Sequence, residues 1–342
     1  MDISVVWFKR DLRIRDHLPL KLAIDAQIPI LLLYVFEPEL MDYPDADLRH
    51  WRFVHESLRD IQQQLGTEHA LNIVFQSVEV LFETLNSQYN IRGVYSYQET
   101  GNNVSFQRDK RMKIFFKNHT IPWYEFQQNG VIRGLKNRKE WDKHWHNVMH
   151  APLDQPDLTL LETVSLSFPQ KVQDTLLNEL TTPNPEMQPG GERMAHKYAE
   201  SFFTDRHRHY SLNISKPEAA RKSCSRLSPY LAYGNLSIRQ VYQMALRAKA
   251  TGGNARSLAN FISRLHWHCH FIQKFESECR MEFFAVNQAY EKLNKAKDDA
   301  LIKAWQDGKT GVPLVDACMR CLVKTGYINF RMRAMVVSFF VY

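Results

Sequence analysis

The sequence predicts an α/β domain with an open parallel sheet, followed by an all-helical domain. Short apolar runs alternate with helical patterns over the first 130 residues, whereas helical periodicity dominates from residue 192 onward. The charge also changes along the chain. Residues 1–190 carry 20 Lys/Arg and 25 Asp/Glu, a net charge of −5, whereas residues 191–342 carry 24 and 12, a net charge of +12. These observations indicate two domains of different construction.

In the first part, predicted strands alternate with predicted helices. Apolar runs predict strands at residues 3–8, 29–36, 70–75, 93–97 and 121–126, and helical spacing predicts helices at residues 47–65, 78–89 and 102–117. Continuous apolar strands that alternate with helices are typical of a parallel sheet covered on both faces. We therefore expect a Rossmann-like domain. No glycine-rich fingerprint follows the first strand, which argues against a nicotinamide dehydrogenase.

A long connection is expected between the two domains. Residues 133–150 are basic and aromatic, and prolines follow at positions 152, 156, 169, 183, 185 and 189. Such a tract predicts a segment that wraps the surface rather than a compact domain. The predicted division is therefore residues 1–132, 133–190 and 191–342.

Composition excludes several classes of protein. Five cysteines in 342 residues do not suggest a disulfide framework, so we expect a reducing, cytoplasmic location. The longest apolar run, residues 28–36, is too short to cross a bilayer, so we expect no membrane association. The basic second part favours a nucleic acid as partner. The alternative is that basic helices keep a helical domain soluble.

Four segments, in the expected order, resemble motifs of the photolyase/cryptochrome family. They are residues 5–16 (beginning Val5-Val6-Trp7-Phe8-Lys9-Arg10-Asp11), residues 190–192, residues 225–237, and residues 304–320, after which residues 326–333 continue the likeness. The resemblance spans residues 3–342 and implies an α/β domain followed by an all-α FAD-binding domain. Family members continue well beyond such a segment, so we expect the chain to be truncated at its C-terminus.

The resemblance also implies a function. It indicates light-driven, FAD-dependent repair of cyclobutane pyrimidine dimers in double-stranded DNA by a monomer, with electron transfer from reduced flavin to a flipped lesion. One alternative is a cryptochrome-like blue-light receptor that keeps FAD but repairs little. Another is a flavin-free fragment that binds nucleic acid.

The segment Cys224, Ser225, Arg226, Leu227 and Ser228 is the candidate flavin phosphate site. Hydroxyl groups, an arginine and a helix start are what a diphosphate requires, although an ordinary capped helix would carry the same residues. The resemblance favours the flavin, with Cys224 standing where relatives usually have threonine. It also implies that Tyr210 contacts the phosphate and that Arg333 pairs with a flavin-facing aspartate beyond the present chain.

A second candidate region is the helical pattern at residues 257–276. Its spacing places Phe261, Arg264, Trp267, His268 and Phe271 on one face, which suits a flat anionic ligand or a flipped base. The resemblance implies that Trp267 packs against the lesion, as the catalytic and DNA-binding residue, and that Phe261, Arg264 and His268 line the flavin cavity. Relatives that repair pyrimidine dimers carry glutamate at the position of Arg264 and arginine at that of His268.

Further residues are candidates for contact with DNA or for metal binding. We expect Phe271, Asn329 and Arg331 to face DNA, with exposure to solvent as the alternative for the last two. Three histidines, at positions 266, 268 and 270, point to different sides of a helix and cannot chelate one ion together. The pair Cys318 and Cys321 lacks a matching second pair, so we expect no metal.

A second, light-harvesting chromophore of unknown identity is a further expectation from the resemblance. Residues 9–13 and 99–103 follow predicted strands at the edge of the sheet where open α/β domains bind ligands. The alternative for residues 9–13 is a solvated basic turn.

Overall fold

The computed structural model describes residues 1–166, 174–292 and 296–342. Its first part contains a sheet of five parallel strands in the order β3-β2-β1-β4-β5. The strands are β1 (Asp2–Phe8), β2 (Ile30–Phe36), β3 (Leu71–Phe75), β4 (Asn90–Tyr97) and β5 (Trp123–Phe126). The expected open parallel sheet is confirmed.

Helices connect these strands and form almost all the regular structure that follows them. Around the sheet lie α1 (Leu18–Asp25), α2 (Pro38–Met41), α3 (Leu48–Leu65), α4 (Val78–Gln88) and α5 (Asn103–Asn118). The later helices are α6 (Trp141–His150), α7 (Asp174–Thr181), α8 (Glu192–Thr204), α9 (Tyr210–Asn213), α10 (Pro217–Ser223), α11 (Ser228–Ala232), α12 (Ile238–Ala250), α13 (Ala255–Ser277), α14 (Asp299–Gln306), α15 (Pro313–Thr325) and α16 (Phe330–Val341). Short 3₁₀ turns lie at Leu158–Leu160, Arg206–His209, Cys279–Glu282 and Gln288–Lys292.

Both faces of the sheet are covered because successive residues of a strand point to opposite sides. On β1, Val5 and Trp7 belong to the apolar layer that includes α4 and α5. The neighbouring residues Val6 and Phe8 belong to the opposite layer, with α1 and α3. This burial on two faces is the physical reason for the unbroken apolar runs in the sequence.

The order of the strands creates a crevice at the carboxyl end of β1. The chain leaves β1 toward β2 on one side, whereas β4 lies on the other side. Open α/β sheets bind ligands at such a reversal of strand order. Residues after β1 and β4 therefore meet at one edge.

The connecting segment contributes to two cores. Trp141, Trp145 and Met149 of α6 are buried in the helical core. Farther along, Val164 donates its N–H to the carbonyl of Ile30 at 2.9 Å and packs against the sheet. The segment therefore holds to both parts of the molecule instead of only wrapping their surface.

The helical part docks onto the turn that follows β1. The backbone N–H of Leu12 donates to the carbonyl of Tyr233 at 3.0 Å, and the Asn235 amide donates to the carbonyl of Leu12 at 2.9 Å. Arg13, which is 2% exposed, donates to the carbonyl of Gly234 at 3.0 Å. Backbone groups of both parts therefore pair directly.

Among the residues described, no helix has the length and apolar character needed to cross a membrane.

Candidate functional site

The loop of residues 224–228 joins α10 to α11 with an unusual backbone. Arg226 has a φ of +63°, and Leu227 follows in a right-handed conformation at φ −86° and ψ −7°. Alternation of left- and right-handed residues turns successive N–H groups toward one side, which is the geometry of an anion-binding nest. No side chain caps α11 at Leu227. An ordinary capped helix therefore does not account for the loop.

Three guanidinium groups surround this loop, those of Arg206, Arg221 and Arg226. Among residues 1–166, 174–292 and 296–342, we find no carboxylate that forms an ion pair with any of the three. Burial is the main cause that lowers the pKa of Arg206 and of Arg226, and a neighbouring guanidinium lowers each further. The loop is thus a partly buried, positively charged site without a counter-charge from these parts of the chain.

Arg226 is held from two sides. Its Nε donates to Gln188 Oε1 at 2.8 Å, and Gln188 Nε2 donates back to the Arg226 carbonyl at 3.0 Å. The guanidinium also lies 3.9 Å from the centroid of the Tyr327 ring. A left-handed arginine is uncommon, and these contacts offset its backbone strain.

Cys224 lies against the same tyrosine. Burial raises the pKa of the Cys224 thiol, and a hydrogen bond with Tyr327 partly opposes that shift. A thiol is a weaker hydrogen-bond donor than the hydroxyl of threonine, the residue that the family resemblance implies at this position. A phosphate bound beside Cys224 would therefore gain less from this side chain than from a hydroxyl.

Tyr210 connects the loop to α13. Burial raises the pKa of Tyr210, and a hydrogen bond with Arg264 partly opposes that shift. Its ring lies 5.9 Å from that of Phe261, which is 4% exposed and packs on Phe202. The expected cofactor residues Tyr210, Phe261 and Arg264 are therefore neighbours.

The residues predicted to share one face of α13 lie in different environments. Phe261 lies in the core, whereas Trp267 and Phe271 are 47% and 54% exposed, with their rings 5.5 Å apart. The Arg264 guanidinium lies 5.4 Å from the Phe330 ring. His268 lines a cavity between the two parts of the molecule, and burial lowers its pKa to about 4. His268 is therefore neutral near pH 7.

The candidate site residues at the start of α16 differ in their exposure to solvent. Asn329 is 3% exposed, and its side chain accepts from the N–H of Met332 at 2.9 Å. This side chain therefore caps α16 and does not lie on the surface. Arg331 and Arg333 are exposed. Arg333 lines a cavity of about 280 Å³ together with other residues, among them Arg49, Arg52, Gln188, Ser228 and Tyr327.

Residues after β1 and β4 form one cavity of about 190 Å³ at the edge of the sheet, as their positions predicted. Lys9, Asp11 and Arg13 are buried, with exposures of 7%, 1% and 2%, whereas Arg10 is exposed, so the alternative of a solvated basic turn holds only for Arg10. The cavity is lined by Trp7, Phe8, Lys9, Arg10, Tyr34, Glu37, Trp51, Glu99, Asn102, Arg108 and Tyr233, among others.

Arg108 organises the charges around this cavity. Its guanidinium is 2% exposed and pairs with Glu37, with Glu99 at 2.7 Å and with Asp109 at 2.8 Å. Burial raises the pKa of Glu37 to about 7, whereas for Glu99 the attraction of Arg108 and two further cations outweighs burial and lowers the pKa to about 2. The two glutamates therefore differ in charge state near neutral pH.

We expect Glu37→Gln to become more stable relative to the native protein as the pH rises from about 4.5 to about 7. The pKa of Glu37 is raised from 4.5 on folding, so its contribution to stability is present below pH 4.5 and lost toward pH 7. The difference in unfolding free energy between the two proteins should change by up to about 3 kcal/mol. Urea unfolding of both at pH 5 and pH 8 measures this, and histidine titration cancels in the difference. A difference independent of pH would refute it.

The candidate metal residues have separate partners. His266 Nε2 lies 2.8 Å from Asp142, and His270 accepts from Arg138 at 3.0 Å. Cys321 accepts from Arg221 at 2.9 Å. Within the described parts of the chain, no three potential ligands come together to hold a metal ion.

The sequence did not predict that three further residues contact the 224–228 loop. Arg206, Gln188 and Tyr327 lie 18, 38 and 101 positions from the residues they hold. Tyr327 belonged to a noted motif, but no spacing rule connects it to Arg226. The positively charged loop with its side chains fits the diphosphate of FAD, because cations and backbone donors are present and no carboxylate of the described residues pairs with them.

Two family models match parts of the chain. Residues 4–139 match the family described as DNA photolyase, and residues 261–342 match the FAD binding domain of DNA photolyase. A deoxyribodipyrimidine photo-lyase of Halobacterium salinarum is 40% identical over 98% of this chain and 74% of its own length.

Two solved structures share the fold. A cryptochrome of Synechocystis sp. superposes with a TM-score of 0.84 at 20% identity, over 99% of this chain and 75% of its own. An archaeal photolyase of Sulfolobus tokodaii, determined with two FAD molecules, has a TM-score of 0.76 at 23% identity, over 100% of this chain and 75% of its own.

Proposed function

The chain belongs to the photolyase/cryptochrome family, and we propose that it is a light-driven, FAD-dependent photolyase that repairs cyclobutane pyrimidine dimers in double-stranded DNA. Residues 191–342 are proposed as the flavin- and DNA-binding domain. Residues 1–132 are proposed as the α/β domain and residues 133–190 as the connection.

The observation that supports this proposal most directly is the positive charge at the 224–228 loop, with which no carboxylate of the described residues forms an ion pair. A diphosphate placed there would meet Arg226, the Ser225 and Ser228 hydroxyls and the backbone donors of the nest. We assign Tyr210, Cys224, Leu227, Phe261, Arg264, His268 and Arg333 to the surrounding flavin cavity. Reduced FAD, when bound and excited by light, supplies the electron that splits the dimer.

The exposed pair Trp267 and Phe271 is the proposed contact for the flipped lesion. Their rings are tilted by 37° to each other and are exposed, and exposed aromatic rings bind bases that have left the duplex. Arg331 is an exposed cation that suits a phosphate of the DNA backbone. Asn329 is left out of this surface because its side chain caps α16.

A second function, that of a cryptochrome-like blue-light receptor, is favoured by two side chains of α13. Arg264 replaces the glutamate, and His268 the arginine, that the family resemblance associates with repair. Because the pKa of His268 is about 4, this histidine adds no positive charge near neutral pH. A lesion would therefore meet a different charge pattern.

A second chromophore is proposed at the carboxyl edge of the sheet. The cavity there combines aromatic walls with charged groups, which is typical of sites for polar ring systems. Residues 100–102 also line a wider opening of about 760 Å³ beside Phe271 and Phe275. The archaeal neighbour with two FAD molecules supports a second ligand of this kind.

We expect the purified protein, reconstituted with reduced FAD, to remove thymine dimers from a duplex oligonucleotide under blue light and not in the dark. Trp267→Ala should slow repair about tenfold, because a stacked base contact is lost. Phe284→Ala is the matched control, since Phe284 is also an exposed aromatic residue, at 56%. Loss of dimers is measured by chromatography after digestion.

The outcomes separate the candidate functions. A protein that retains flavin and is photoreduced, yet leaves dimers intact, would be a receptor and not a photolyase. A protein that retains no flavin would exclude both and leave a nucleic-acid-binding fragment.

A further inference from the structure

We propose that Arg206 is a positioning residue that turns the backbone N–H groups of the 224–228 loop toward a bound diphosphate. The identification of that diphosphate as part of FAD rests on the proposed function. The positioning role itself rests on the contacts of Arg206.

The guanidinium of Arg206 spans two stretches of backbone. Its NH1 group donates to the carbonyl of Cys224, and its NH2 group donates to the carbonyls of Ser225 at 3.2 Å and Tyr198 at 2.7 Å. Its Nε donates to Ser201 Oγ at 2.9 Å. One planar fork therefore fixes the carbonyls of two consecutive residues in the loop.

The geometry of the peptide bond transmits this constraint. In a trans peptide the C=O and N–H groups point in opposite directions. Since Arg206 binds the carbonyls of Cys224 and Ser225, the N–H groups of Ser225 and Arg226 point away from it. Within the described parts of the chain, neither N–H group has a hydrogen-bond acceptor. Both are therefore available to an anion.

The charge of Arg206 alone would not produce this arrangement. A lysine would keep the positive charge but is a point donor without a planar fork, and it could not hold the same set of oxygens. Positioning and simple attraction of an anion therefore predict different results for Arg206→Lys.

The test compares Arg206→Lys and Arg206→Gln with the native protein by calorimetric titration with FAD, riboflavin and inorganic pyrophosphate. Riboflavin lacks the diphosphate, and pyrophosphate lacks the flavin. Arg208→Gln is the control, because Arg208 lies in the same 3₁₀ turn and is 61% exposed. Thermal unfolding checks that each variant is folded.

We expect Arg206→Gln to weaken the binding of FAD and of pyrophosphate about 30-fold, because two backbone donors lose their orientation. Arg206→Lys should weaken the binding of both ligands about tenfold. The affinity for riboflavin should change less than about twofold in both variants. In the control variant, the affinity for each of the three ligands should change less than about twofold. Native affinity in Arg206→Lys, or an equal loss for riboflavin, would overturn the proposal.

The two ligands also separate this proposal from the proposed function. Native protein that binds pyrophosphate in an Arg206-dependent way but does not bind FAD would contradict the flavin function and retain the positioning role. Native protein that binds neither would contradict both.

Discussion

Gly234→Ala is expected to destabilise the protein by at least about 3 kcal/mol and to separate the helical part from the sheet. Gly234 has a φ of +70°, and a Cβ at this position would lie 2.3 Å from the carbonyl oxygen of Arg10 and 2.5 Å from the Cα of Asp11. These are backbone atoms of the turn that follows β1, so no side-chain rotation can relieve the clash. The docking hydrogen bonds around Leu12 would be broken.

A matched glycine separates this clash from backbone strain. Gly252 has a φ of +88°, but a Cβ there would have no atom within 4 Å. Gly252→Ala should therefore cost only about 1–2 kcal/mol, the penalty for a left-handed residue. Urea unfolding and limited proteolysis of residues 133–190 measure both effects. An equal loss of unfolding free energy in the two variants would show that backbone strain alone causes the loss.

Arg108→Met is expected to cost about 3–5 kcal/mol in unfolding free energy, because it leaves buried carboxylates without their main partner. Glu37, Glu99 and Asp109 all pair with Arg108, whose guanidinium also lies 4.9 Å from the Trp7 ring. Lys9 and Arg10 would remain beside Asp109 and Glu99, at 3.3 and 3.1 Å. Glu37 would have no remaining cation of this set.

The same helix provides the control. Arg111 also pairs with two glutamates, Glu39 and Glu79, but its side chain is 43% exposed. Arg111→Met should therefore cost less than about 1 kcal/mol. The loss in Arg108→Met should be smaller at pH 5 than at pH 8, since unpaired buried carboxylates take up protons. A loss that is the same at both pH values would contradict this account.

Much of the fold could be predicted from local patterns. The predicted strand at residues 3–8 is β1, and the predicted helix at residues 47–65 is α3, because each pattern repeats with the period of the structure it forms. Residues 9–13 and 99–103 were placed at one sheet edge from topology alone, and they share a cavity. The burial of Lys9 and Glu99 was not predicted, because their ion pairs with Asp109 and Arg108 make it possible.

The candidate site could be predicted only as a set of segments. The 224–228 loop and α13 were identified from the sequence, but helical spacing did not show that Trp267 is exposed while Phe261 is in the core. Spacing along a helix gives the direction in which each side chain points around the helix axis. Whether that side chain is buried depends on which other residues pack against it.

The sequence by itself determined how strands and helices alternate along the first part of the chain, the family resemblance and the basic character of the second part. These depend on residue types and spacings along one stretch of chain. The tertiary structure alone decided that Arg206, Gln188 and Tyr327 hold the 224–228 loop and that Gly234 lies against the turn after β1. Hydrogen bonds and close packing depend on positions in space, and residues far apart in the chain become neighbours only when the whole core has formed.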